Sequence, residues 1–176
     1  NIFGLNILSP EVIKMKYWLF TVFIVFPVLI NCLKDLSIFD PLIDIEWTGH
    51  YQNSEDSYLK HHIKWEYELD KQVVLETKSV PELNFKMLTY YFFDHENEQI
   101  SFISFLNRDI IRKGVVNLNL QGELELSGRS FWKGDDQQFR CSFHLSDNGH
   151  VSDRFSYFKD GNWKTGHHIL YNTITE

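Results

Sequence analysis

The sequence predicts an all-β protein: an antiparallel up-and-down β-barrel of about nine to ten strands, preceded by an N-terminal hydrophobic helix acting as signal or anchor. Three observations carry this. Alanine is absent, while strand formers are abundant, with 15 Phe, 8 Tyr and 5 Trp alone; that removes the strongest helix former and enriches residues that suit a pleated surface. Several segments alternate apolar and polar residues with period two. Turn-forming residues separate them at short intervals.

Residues 1–14 contain no Met and read as an upstream extension. Met15 and Lys16 read as a start with a short basic region, followed by the charge-free stretch that ends at Lys34. The apolar run is Tyr17 to Ile30, within the length of a signal-peptide core and short of the about 20 residues that cross a bilayer as a helix. Residues 15–32 are therefore a signal peptide or membrane anchor. An alanine-type cleavage site cannot exist in this composition. Leu29-Ile30-Asn31-Cys32 resembles the bacterial lipoprotein signal instead, in which an apolar residue stands three places before a lipidated Cys. Leu29 and Cys32 match that pattern, and Asn31 departs from its usual small residue. The resemblance implies lipid on Cys32; the alternative is an uncleaved anchor. Both hold the domain at a membrane, on the exported side of a bacterial cell envelope.

Residues 33–45 read as a tether, and residues 46–176 as the barrel domain. In "YLKHHIKWEYEL", Leu59, His61, Ile63, Trp65, Tyr67 and Leu69 share one face and the charged residues the other, the signature of a half-buried antiparallel strand. "GELELSGRSFW" puts Leu124, Leu126 and Trp132 on one face; "QQFRCSFHLS" does the same with Phe139, Cys141, Phe143 and Leu145. Tyr90 to Phe93 are apolar on both faces. Half of these rings fill the interior, and the others cover the exterior, under the N-terminal segment or a partner. Turns are expected at Asp70-Lys71, Asp94–Asn97, Asn107–Asp109, Gly134–Asp136, Asp147–Gly149 and Asp160–Asn162. Closure of such a meander removes exposed strand edges.

"EWTGHYQ" (Glu46 to Gln52) and "GNWKTGHHILYNT" near the end frame this meander. Together they resemble calycin-type barrels, the lipocalin-like and nitrobindin-like families, which open on a Trp-x-Gly strand, here Trp47 and Gly49. Ile45 stands where those families commonly carry a Gly. The resemblance implies a barrel with an interior cavity. From the nitrobindin-like members it also implies a haem-ligating His near the last strand, in the region of His167 or His168.

Adjacent residues on a strand face opposite ways, so neither His61-His62 nor His167-His168 grips one ion with both rings. Parity turns His61 inward with Trp65 and Tyr67, and His167 inward with Trp163, Ile169 and Tyr171. No spacing for a structural zinc site occurs, and no metal ligand is assigned. Cys141 reads as a buried small hydrophobe. Arg112 falls on an apolar face, where it either pairs with a carboxylate-bearing ligand or reaches out to solvent. Asp135-Asp136 read as a solvated turn. No nucleophile elbow, P-loop or dinucleotide fingerprint is present, no catalytic residue is assigned, and enzymatic activity stays open.

Net charge is −7, and residues 1–32 hold two of the lysines against one glutamate, so the remainder is more acidic still. A nucleic-acid partner is excluded on that ground. Three functions follow. The first is a barrel holding a small apolar or amphipathic molecule, with His61, Trp65, Tyr67, Arg112, His167 and Tyr171 lining its site and no cofactor. The second is a haem protein using His167 or His168. The third is a structural or interaction module whose barrel is filled.

Overall fold

The computed structural model of the chain describes residues 35–52 and 55–174; the 1–14 extension, the 15–32 leader and Cys32 lie outside them. Ten strands follow in order: β1 (Glu46–Tyr51), β2 (Lys60–Glu68), β3 (Val73–Val80), β4 (Phe85–Asp94), β5 (Gln99–Leu106), β6 (Ile110–Leu118), β7 (Leu124–Trp132), β8 (Asp135–Leu145), β9 (Val151–Lys159) and β10 (Asn162–Thr173). Each pairs antiparallel with its sequence neighbour, and β1 pairs with β10 to close the barrel. The expected all-β, up-and-down closed barrel is the observed architecture. Closure leaves no strand edge among the ten.

The expected turns fall between strands, with left-handed residues at Leu69–Lys71, Glu98, Asp109, Lys133-Gly134, Gly149 and Asp160-Gly161. One expectation is corrected: Asp135 and Asp136 begin β8 rather than sitting in a turn, and Asp136 is ion-paired to Arg129 on β7. Three connections carried no turn expectation. Glu55–Tyr58, between β1 and β2, form a 3-10 turn. Pro81–Leu83 form a 3-10 turn ended by left-handed Asn84, and Asn119–Glu123 close on the Asn119 side chain, which accepts from the Gln121 and Glu123 amides.

The tether expectation also changes. Residues Leu36–Leu42 form a 3-10 helix capped by Asp35, which accepts from the Ser37 amide, and Leu36, Phe39 and Leu42 are buried. Phe39 lies 4.6 Å, ring to ring, from Tyr91. The Tyr67 hydroxyl donates to Asp40 Oδ1 at 2.6 Å and sits 3.2 Å from the Leu36 carbonyl. Three apolar residues spaced at 36, 39 and 42 share one face of a tight helix, and here that face closes one end of the barrel. Beneath it sit Trp47, Trp65, Val74, Tyr91, Ile100 and Val151, each at most 2% exposed.

Two close approaches depend on glycine. Gly49 faces the partner strand, where a Cβ would stand 2.6 Å from the Leu170 carbonyl oxygen and 2.7 Å from the Tyr171 ring. This gives the Trp47-x-Gly49 pattern a physical content: the seam between β1 and β10 closes over the Tyr171 ring. Gly114 and Gly128 lie directly opposite each other on β6 and β7, and a Cβ on Gly114 would strike the Ser127 carbonyl oxygen.

The parity of β10 differs from expectation in its first half. The register slips between Thr165 and His167, so a β-bulge inserts one residue there and reverses the faces on either side of it. His167, Ile169 and Tyr171 face inward as expected. Trp163 faces outward, 41% exposed, and lies 5.5 Å from the exposed Phe158. In β7, Leu124 and Leu126 are buried, but Trp132 at the strand end is 48% exposed. Tyr91 is fully buried, while Tyr90 packs on the outer wall at 6.4 Å from Phe105.

Replacing Gly114 with Ala is expected to cost about 2–3 kcal/mol through this backbone collision, read as a lower urea midpoint. The same change at exposed Asn117 on the same strand should leave the midpoint near wild type.

Candidate functional site

Inward positions become polar away from the closed end. β3 supplies Glu76 and Lys78, β4 Thr89, β5 Ser104, β8 Cys141 and β9 Asp153, all facing the barrel centre. Glu76, Lys78, Thr89, Ser104 and Asp153 are at most 6% exposed. Lys78 Nζ donates to Asp153 Oδ2 at 2.7 Å and stands 3.7 Å from Glu76 Oε1. β3 and β9 are separated by β2, β1 and β10, so this ion pair spans the interior instead of joining neighbouring strands. Cys141 Sγ donates to Asp153 Oδ1 at 3.1 Å. The thiol is therefore a hydrogen-bond donor to a carboxylate, not the simple apolar filler that its alternation suggested. Thr89 and Ser104 share a hydrogen bond of 2.9 Å, and Tyr91 donates its hydroxyl to Glu76 Oε2.

The titration of this cluster follows from burial and neighbours. Burial works to raise the Asp153 pKa, but the Lys78 cation and His167 overcome it and hold Asp153 well below the usual carboxylate range. Burial works against the Lys78 charge, and Asp153 outweighs it. Glu76 goes the other way: burial raises its pKa, although Lys78 and the Tyr91 hydroxyl oppose the rise. Burial and the Asp153 charge push the Cys141 thiol up, which keeps it an unreactive thiol.

Toward the far end, a chain of rings continues the site. Arg112 places its guanidinium over Phe155 at 4.7 Å and over Phe139 at 5.2 Å, contacts worth more where solvent is excluded. Its Nε donates to Ser130 Oγ at 3.0 Å, and it makes no other hydrogen bond among the described residues. Phe155 stacks on His167 at 5.2 Å. His167 Nε2 lies 3.5 Å from Asp153 Oδ2. Tyr51 stands 6.0 Å from His167 and 4.5 Å from His61, and His61 is 6.5 Å from Tyr171. Both ring nitrogens of His61, the Tyr171 hydroxyl and Glu76 Oε1 are buried without a hydrogen-bond partner. Burial, followed by the Lys78 charge, drops the His61 pKa to about 4.

The structure thus brings His61, Arg112, His167 and Tyr171 into one region. It places Trp65 and Tyr67 elsewhere, at the closed end. Trp65 is fully buried and packs edge-on to Phe143 at 5.7 Å, and Tyr67 holds the 3-10 helix. Lys78, Asp153 and Glu76 were not singled out by sequence. The signal for them was present: three charged residues stand at inward parity in β3 and β9, where alternation demands apolar ones.

A cavity of about 30 Å³ lies at the centre of this region, lined among others by Glu76, Lys78, Arg112, Cys141, Phe155 and His167. It has room for about two water molecules. A porphyrin is many times larger. His168 faces outward and shares a 3.0 Å hydrogen bond with Ser152, and the Nε2 of His167 is turned to a carboxylate. The described interior therefore does not fit haem. No protein-family model matches the chain, and no curated protein matches it in sequence.

Removing one partner of the central pair leaves a buried charge alone. Lys78→Met is expected to lose about 3–5 kcal/mol, and Lys78→Met with Asp153→Leu to lose less than Lys78→Met, as measured by a double-mutant cycle in urea.

His61 gives a pH signature. Its folded pKa of about 4 lies below its ordinary 6.5, so on acidification the unfolded chain takes up the proton first. Stability is then lost as pH falls from 6.5 to about 4, by at most about 3 kcal/mol. Denaturation midpoints across that window should fall less steeply in His61→Gln.

Proposed function

We propose that the barrel binds a small amphipathic molecule through an anionic end, seated at Arg112 beside the ring cluster of Phe139, Phe155 and His167. One observation carries the reading. Lys78 is occupied by Asp153 and Glu76, whereas the Arg112 guanidinium gives only its Nε–H, to Ser130 Oγ, and its remaining donors meet no acceptor among the described residues. Those open donors sit where water is largely excluded, so an entering carboxylate is met at close range. The cavity of about 30 Å³ admits only the polar end, leaving the apolar part against the phenyl rings. Burial there contributes roughly 25 cal/mol per Å². The closed ten-strand barrel accords with a calycin-like family assignment. The charge-free run Tyr17–Ile30 and Cys32 support a protein held by lipid or anchor at the exported face of a bacterial membrane.

The small cavity favours a second reading, a filled barrel acting as a structural or interaction module. Titration with octanoate, followed by tryptophan fluorescence, separates the two. The ligand reading expects saturable binding that weakens about tenfold or more in Arg112→Gln. No saturable binding, or equal binding by the variant, leaves the filled barrel.

A further inference from the structure

The outer wall of the barrel carries a second concavity, of about 380 Å³, across β7, β8 and β9. Its floor is made of serines. Ser127, Arg140 and Ser156 lie in one row across the strands, and Glu125, Ser142 and Arg154 in the next. Arg140 and Arg154 are therefore diagonal neighbours on adjacent antiparallel strands, roughly 7–8 Å apart at the backbone, with small hydroxyl side chains between them. In a chain of net charge −7, neither arginine has a hydrogen bond or ion pair among the described residues. The carboxylate at the groove edge, Glu125, accepts from the Asn119 amide at 3.0 Å. Arg140 is held at one side by Trp163, with its guanidinium 4.5 Å above the indole ring. That ring is outside the barrel because the bulge before His167 reversed its face.

Two arginines and three serine hydroxyls line this one depression and form a donor-rich site. Such a set matches the several acceptor oxygens of a phosphate better than the two of a carboxylate. We propose that this outer groove binds a phosphate group, with Arg140 and Arg154 closing on it from two sides and Ser127, Ser142 and Ser156 donating from the floor. The site is independent of the barrel interior: the inward faces of the same strands carry Phe139, Cys141 and Asp153.

The test uses the full chain and two probes: inorganic phosphate, followed by calorimetry, and phosphatidylcholine vesicles with or without phosphatidic acid, followed by sedimentation. Binding should weaken about tenfold in R140Q or R154Q, vanish in the double variant and persist in R112Q. If phosphate itself binds in this pattern, the site takes soluble phosphate compounds. If phosphate fails but phosphatidic acid retains wild type more than the double variant, the same phosphate arrives on a lipid. The proposal is overturned by the absence of both effects, by equal binding in the double variant, or by loss of binding in R112Q, which would move the anion to the barrel mouth.

Discussion

The Lys78–Asp153 pair is the interaction around which the interior is organised. Two full charges removed from water cost several kcal/mol each unless they meet at good geometry and their remaining bonding capacity is filled. Here Asp153 receives Lys78 on one oxygen and Cys141 on the other, with His167 beside it. Lys78 has Asp153, the nearby Glu76, and the faces of Phe143 and Tyr171 at 5.2 and 6.0 Å. Because the two residues come from strands separated by three others, the pair fixes the barrel cross-section as well as its charge. A slip of one residue in either strand would turn its partner to solvent and leave the other charge buried.

That constraint divides the interior into two ends with different physics. Toward the 3-10 helix the barrel is an apolar core, with Phe39 driven in against Tyr91 and two tryptophans fully enclosed. Away from it, the rings alternate with Arg112, His61 and His167, and a small cavity remains. Burial makes the charged form of each titratable group expensive and sends Glu76 up and His61 down, while at Asp153 the Lys78 cation and His167 outweigh it and the pKa goes down. Divergence of this kind marks places where a protein holds charge in a chosen arrangement. It is the reason the interior reads as a site as well as a filler.

Much of the barrel was legible in the sequence because strand periodicity is local. His61, Ile63 and Trp65 face inward by parity alone, and the outward Lys60, His62 and Lys64 complete the alternation. The bulge in β10 was not legible. It depends on Gly166 bringing the strand against Phe155, and it moved Trp163 to the outer wall, where the second groove uses it. Leu36, Phe39 and Leu42 also carried a readable spacing, yet a run of seven residues containing Pro41 has no period long enough to distinguish a plug from a tether. For the site, parity selected His61, Arg112, His167 and Tyr171, which do gather. It also selected Trp65 and Tyr67, which share their face but lie at the other end, since position along the barrel axis follows from register and not from parity.

The sequence by itself determined the strand class, the placement of most turns and which side chains point inward, because each rests on sterics and alternation between near neighbours. The tertiary structure decided which inward residues meet. Lys78 and Asp153 are 75 residues apart in the chain, and only the closure of β1 on β10 sets their strands across from each other. The meeting of charges in the interior and the size of its cavity follow from that long-range register, which no local pattern encodes.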